Sequence, residues 1–94
     1  MANTRLVQLK NKTTFNVLML QENITVGQRI EKFELQYFDG RKWQNAGEGT
    51  TVGYKRLLQL DPVTTDKVRL KITSRLNPTI SEMGLFFQPN QKSK

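Results

Sequence analysis

Val68, Leu70 and Ile72 alternate with Arg69, Lys71 and Thr73, so one side of this segment is apolar and the other polar or charged. A period of two is the pattern of a strand with one buried face. The same period returns where Phe33, Leu35 and Tyr37 alternate with Lys32, Glu34 and Gln36. No segment sustains the 3.6-residue period of an amphipathic helix. The chain is therefore restricted to an all-β fold, and its 94 residues allow one small domain.

Further strands are expected at residues 6–9, 15–20, 43–46, 54–60 and 83–87. The turns between them are expected at 10–14, at Asp39-Gly40, at Asp61-Pro62 and at Asn77-Pro78. Longer connections fall at 21–28 and at the glycine-rich stretch 47–53. Seven short strands at fairly even spacing predict an antiparallel β-sandwich. If FNVLML at 15–20 runs up, the loops 21–28, 47–53 and 74–79 share one end, and the turns 10–14, 39–41 and 61–66 share the other. FNVLML is apolar apart from Asn16, which predicts a central strand buried on both faces. Val17 and Met19 are expected to face the inter-sheet core, leaving Leu18 and Leu20 on a face that needs other cover.

Composition removes several functions. Without cysteine there is no disulfide and no thiolate metal site, and without histidine the commonest general base and metal ligand are missing. No metal and no cofactor is called for by any visible pattern. Fifteen Lys and Arg stand against eight Asp and Glu, a net charge of +7. The cations are scattered along alternating faces and turns, so a solvated surface is expected rather than a nucleic-acid stripe. The longest apolar run is too short to span a bilayer, and no membrane partner is expected. No signal peptide is visible before the first strand pattern.

The candidate chemistry is sparse. Glu22, Glu48 and Glu82 could supply the carboxylate pair of a glycoside hydrolase, but nothing in their spacing opposes them, and no catalytic residue is assigned. Asp39-Gly40 reads as a tight turn, with Trp43 packing into the core. GEGTTVGYK lacks the Lys-Ser ending and the following helix of a phosphate loop. Arg29 has two readings, a structural partner of Glu22 or a ligand-binding fork, and Tyr54 is either a core aromatic or a sugar-stacking platform.

Several blocks together resemble a known family: LQE (20–22), GQRI (27–30), F-x-L-x-Y-x-DG-x-x-W (33–43), GTTVGYKR (49–56) and VRLKI (68–72). They are similar to the C-terminal β-sandwich of family 29 glycoside hydrolases, the α-L-fucosidases, over roughly residues 5–88. The strand-turn-Trp block and the later V-R-L strand also resemble the wider discoidin, or factor 5/8 type C, superfamily with its family 32 carbohydrate-binding modules. Of these, LQE-x(4)-GQR followed by GTT-x-GYKR carries the most specificity.

The resemblance implies an N-terminally truncated discoidin-like domain at 1–88 and a frayed tail at 89–94. Catalysis in the family belongs to an upstream barrel with an aspartate nucleophile, so this chain alone is not expected to be an enzyme. Its expected role is to support that catalytic barrel, through Leu18 and Leu20, and to bind a fucosylated or galactose-containing glycan. Such a glycan would meet Glu22, Asn23, Arg29, Tyr54, Arg75 and Asn77. The alternative is a structural protein-interaction module with no sugar binding. For the parent enzyme the resemblance implies a periplasmic or secreted location.

Overall fold

The computed structural model describes residues 2–23, 30–50, 52–74 and 80–89. Five strands are present: β1 (Ala2–Glu22), β2 (Ile30–Phe38), β3 (Trp43–Gly49), β4 (Arg56–Ser74) and β5 (Ile80–Phe86). They form one antiparallel sheet in the order β3-β2-β4-β1-β5.

Five elements replace the seven expected because the ladder between β1 and β4 runs on through residues 10–14 and 61–66. Thr13 pairs with Thr65, Thr14 with Thr64 and Phe15 with Val63. The hydroxyls of Thr14 and Thr64 lie 2.7 Å apart. Irregularities flank these pairs. Residues 9–12 stand opposite Asp66 alone, and Asn16 stands opposite residues 60–62. Pro62, which cannot donate to a ladder, falls in the second of these bulges.

The bulges mark a corner. Twenty-one residues of β1, at about 3.3 Å each, would reach about 70 Å if straight. The longest dimension of the molecule is 35 Å, so β1 and β4 both fold back there. One leaf then contains β3, β2, the second half of β4 and the first half of β1. The other contains the first half of β4, the second half of β1 and β5. The result is sandwich-like, and the two-leaved all-β fold expected from the alternation is present.

Between the leaves lies a core of Phe15, Leu18, Leu20, Ile30, Phe33, Leu35, Val68, Leu70 and Ile72, joined by Val52 and Val63. The inward positions of β2 and of 68–72 are those the alternation indicates. The sidedness expected for 15–20 is reversed. Leu18 is 1% exposed and Leu20 0%, both within the chain's own core, so neither offers a surface to a catalytic domain. Val17 and Met19 take the opposite face. The change of side falls at the corner, where Asn16 stands opposite residues 60–62 and the paired strands bend from one leaf into the other.

Trp43 also departs from expectation. It is half-buried outside the core, edge-on to Phe38 at 5.4 Å, with the Arg69 guanidinium 4.3 Å above its ring. Arg69 Nε donates to Gln36 Oε1 at 2.6 Å, and Lys67 lies 5.0 Å from the Phe38 ring centre. Two cations of the VRLKI region thus cover aromatic rings on the outside of the first leaf.

Candidate functional site

The two ends of the sandwich have different characters. At the corner end, Asp39 organises the β2–β3 turn. Its Oδ1 accepts from the backbone N–H of Arg41 (2.8 Å) and Lys42 (2.9 Å), and its Oδ2 from Gln44 Nε2 (2.8 Å). The side-chain bond from Gln44, then the two backbone bonds, hold its pKa down at about 2. Gly40 follows at φ +98°, a backbone region that glycine enters without steric cost. Thr65 Oγ1 donates to Phe38 O at 2.6 Å and fastens this turn to the corner, as the shared-end expectation for 39–41 and 61–66 requires.

At the opposite end, Glu22 closes β1. It is 2% exposed, and its Oε2 accepts from the Ile30 N–H at 3.1 Å, across the connection that leads into β2. Its own N–H donates to Gly53 O at 3.2 Å. One residue therefore brings the end of β1, the start of β2 and the segment at Gly53 to a common end. The geometry gives Glu22 a fastening role within the fold rather than an open carboxylate facing a ligand.

Two other candidates stand beside it. Asn23 is exposed, and Tyr54, next to Gly53, is 67% exposed. A phenol ring in that position can offer its face to a sugar or a peptide. The core-aromatic reading of Tyr54 is therefore replaced by a surface one. Arg29, Arg75 and Asn77 lie outside the described residues. Their neighbours Ile30 and Ser74 are register partners across β2 and β4.

The three carboxylates considered for catalysis do not converge. Glu22 is buried in its fastening role, whereas Glu48 and Glu82 are exposed on β3 and β5, the two outermost strands in the sheet order. Among the described residues, no cluster of three or more carboxylates could hold a metal ion.

Two apolar surfaces were not foreseen in these positions. The first is the outside of the second leaf, where Val17 pairs with Phe86, and Met19 with Gly84 and Leu57. Leu57 is 59% exposed, and Phe86 and Phe87 are each 50% exposed. The second is a cleft of about 470 Å³ between the first half of β1 and β5, lined by Arg5, Val7, Leu9, Ile80, Met83 and Leu85 among others. Sequence pointed to an uncovered face but assigned it to the wrong pair of side chains.

Asn16, the one polar residue of FNVLML, was also missed. It is 3% exposed, and its amide exchanges two hydrogen bonds with the Gln88 backbone: Nδ2 to O at 2.9 Å, and N to Oδ1 at 2.8 Å. Its presence in an otherwise apolar run was the available signal, since a buried amide needs partners.

Comparison with other proteins gives a consistent family. The chain is 43% identical over 82 residues to a protein of Oryza sativa subsp. japonica named as an alpha-L-fucosidase, and that match covers 86% of this chain and 16% of the rice protein. It is 38% identical over 84 residues to alpha-L-fucosidase 1 of Arabidopsis thaliana, covering 85% of this chain and 17% of that protein. A crystal structure from Bacteroides ovatus ATCC 8483, also named as an alpha-L-fucosidase, superposes with a TM-score of 0.90 at 34% identity. That superposition covers 99% of this chain and 16% of the other. The chain thus corresponds to about a sixth of the length of the fucosidases it matches. No protein-family model matches it.

Proposed function

We propose that this chain is the non-catalytic C-terminal β-sandwich of an α-L-fucosidase, and that it braces the catalytic barrel. The carrying observation is the outer face of the second leaf. Leu57, Phe86 and Phe87 are exposed apolar side chains there, and Leu57 and Phe86 are the register partners of the buried Met19 and Val17. Contiguous exposed apolar area of this kind is typical of an interface. In the matched fucosidases most of the polypeptide lies outside the corresponding segment, and the barrel is the neighbour it would meet. Cover by the barrel falls to these residues and not to Leu18 and Leu20.

The test is Leu57→Glu and Phe86→Glu in the complete fucosidase. Loss of the docked face lowers the temperature at which activity disappears, while KM for an aryl fucoside is unchanged. Unaltered thermal inactivation in both variants counts against the brace. On the same proposal, the 94-residue chain cleaves no aryl fucoside.

Carbohydrate binding at the loop end is a second reading, favoured by the exposed Tyr54 ring beside Asn23. It is also what a discoidin-like ancestry implies for this domain. Arg29, Arg75 and Asn77 belong to the proposed site on sequence grounds, while Glu22 contributes by holding its frame. An NMR titration of the chain with L-fucose, galactose and a fucosylated oligosaccharide tests it. Saturable shifts around Asn23 and Tyr54 support binding; a dispersed spectrum that no sugar moves leaves bracing alone.

A further inference from the structure

The two long sides of the sandwich differ. On one side the leaves meet: β3 lies over the first half of β4, and a Cβ added at Gly47 would collide with the Cδ2 atoms of Leu60 and Leu58. Glycine there leaves room for the Leu58 and Leu60 side chains against the β3 backbone. On the other side the leaves part. Among the described residues, the first half of β1 pairs with β4 alone and β5 with β1 alone, so each leaf ends in an edge strand beside the 470 Å³ cleft. Val7, Ile80, Met83 and Leu85 are partly buried there and packed against the core.

Free backbone donors and acceptors along an apolar floor suit an extended polypeptide, which adds to a sheet by main-chain hydrogen bonds and buries alternate side chains. We infer that the cleft receives an extended segment of the fucosidase from outside these 94 residues, apolar at alternate positions and bearing a carboxylate opposite Arg5. The inference rests on the bracing function proposed above and adds a second, distinct contact to it.

Charge selects this occupant over a second copy of the chain. Arg5 lines the cleft from the edge strand and Glu82 from β5, and Lys10 and Lys12 sit outside it in the bulge that follows the first half of β1. Inward-pointing charge, lysines and bulges are the devices by which natural sheet edges refuse like partners. Two copies meeting along β1 would oppose these cations on chains that each carry +7. A segment with a carboxylate meets them favourably. The matched fucosidases hold more than four-fifths of their length outside the corresponding region, and tethering gives such a segment a high effective concentration.

Hydrogen exchange, read residue by residue in the 94-residue chain and in the complete fucosidase, tests the inference. Amides of residues 3–8 that point away from β4 are expected to exchange about a hundredfold more slowly in the complete enzyme. Val7→Lys should remove that protection and leave the amides of 68–72 as they were. Equal exchange at 3–8 in both samples overturns the inference. So does concentration-dependent dimerisation of the chain alone that protects the same amides. If Leu57 and Phe86 become protected in the enzyme while 3–8 do not, bracing stands and the strand addition fails. If neither is protected, both fail.

Discussion

Individual residues carry the ends of this fold. Asp39 accepts three hydrogen bonds in its charged form, and its pKa falls from 3.8 to about 2. A carboxylate whose folded-state pKa is depressed contributes stability that is complete above its unfolded value and is lost as the pH falls through the folded one. Asp39→Asn should therefore flatten the pH dependence of unfolding between about 4 and 2, measured by urea denaturation at several pH values. Glu22 acts at the other end. Glu22→Ala withdraws the acceptor for the buried Ile30 N–H and should cost about 1–3 kcal/mol by chemical denaturation, whereas Glu22→Gln keeps a carbonyl oxygen in place and should cost less. The LQE block made Glu22 visible as a special residue in the sequence. That its carboxylate turns inward was not visible, because the partner N–H belongs to the backbone eight positions later, and a backbone donor has no sequence signature.

Among the elements, β2 and the second half of β4 were legible because each keeps one phase of alternation over several residues. β1 was not. All six residues from Phe15 to Leu20 are buried, so hydrophobicity could not say which of them face the core. The side facing the core changes at the bulge where Asn16 stands opposite residues 60–62 of β4, 44 to 46 positions away in sequence. The glycines of 47–53 read as loop punctuation, yet Gly47 and Gly49 lie within β3. Their purpose is close approach: a Cβ on Gly49 would stand 2.6 Å from Phe33 Cζ. Gly47→Val should force β3 away from Leu58 and Leu60 and destabilise the chain by about 1–3 kcal/mol, measured as a lowered Tm.

For the whole molecule, uneven cover is the main functional clue. Polar and cationic groups protect the outside of the first leaf, with Arg69 and Lys67 lying over aromatic rings. Among the described residues, Leu57 and Phe86 are left exposed on the outside of the second leaf. The isolated chain should bind a hydrophobic fluorescent dye through that surface. Leu57→Ser combined with Phe86→Ser should reduce the dye signal with little change in stability, since exposed substitutions away from special features usually shift it by less than about 0.5 kcal/mol each. Retained dye binding in the double variant would move the exposed surface elsewhere, with the cleft beside β5 as the next place to look.

The shared corner of β1 and β4 also governs when this domain can form. Arg5 pairs with Leu70 and Val7 with Val68, so the first half of β1 waits for a partner more than sixty residues further along the sequence. Such distant pairings make folding slow and expose unpaired strands meanwhile. Until β4 has been made, β1 has neither its ladder partner nor the floor of its core. A ribosome that stalls before Val68 leaves a chain in which the second half of β1 has its β4 partners and the first half is still unmatched.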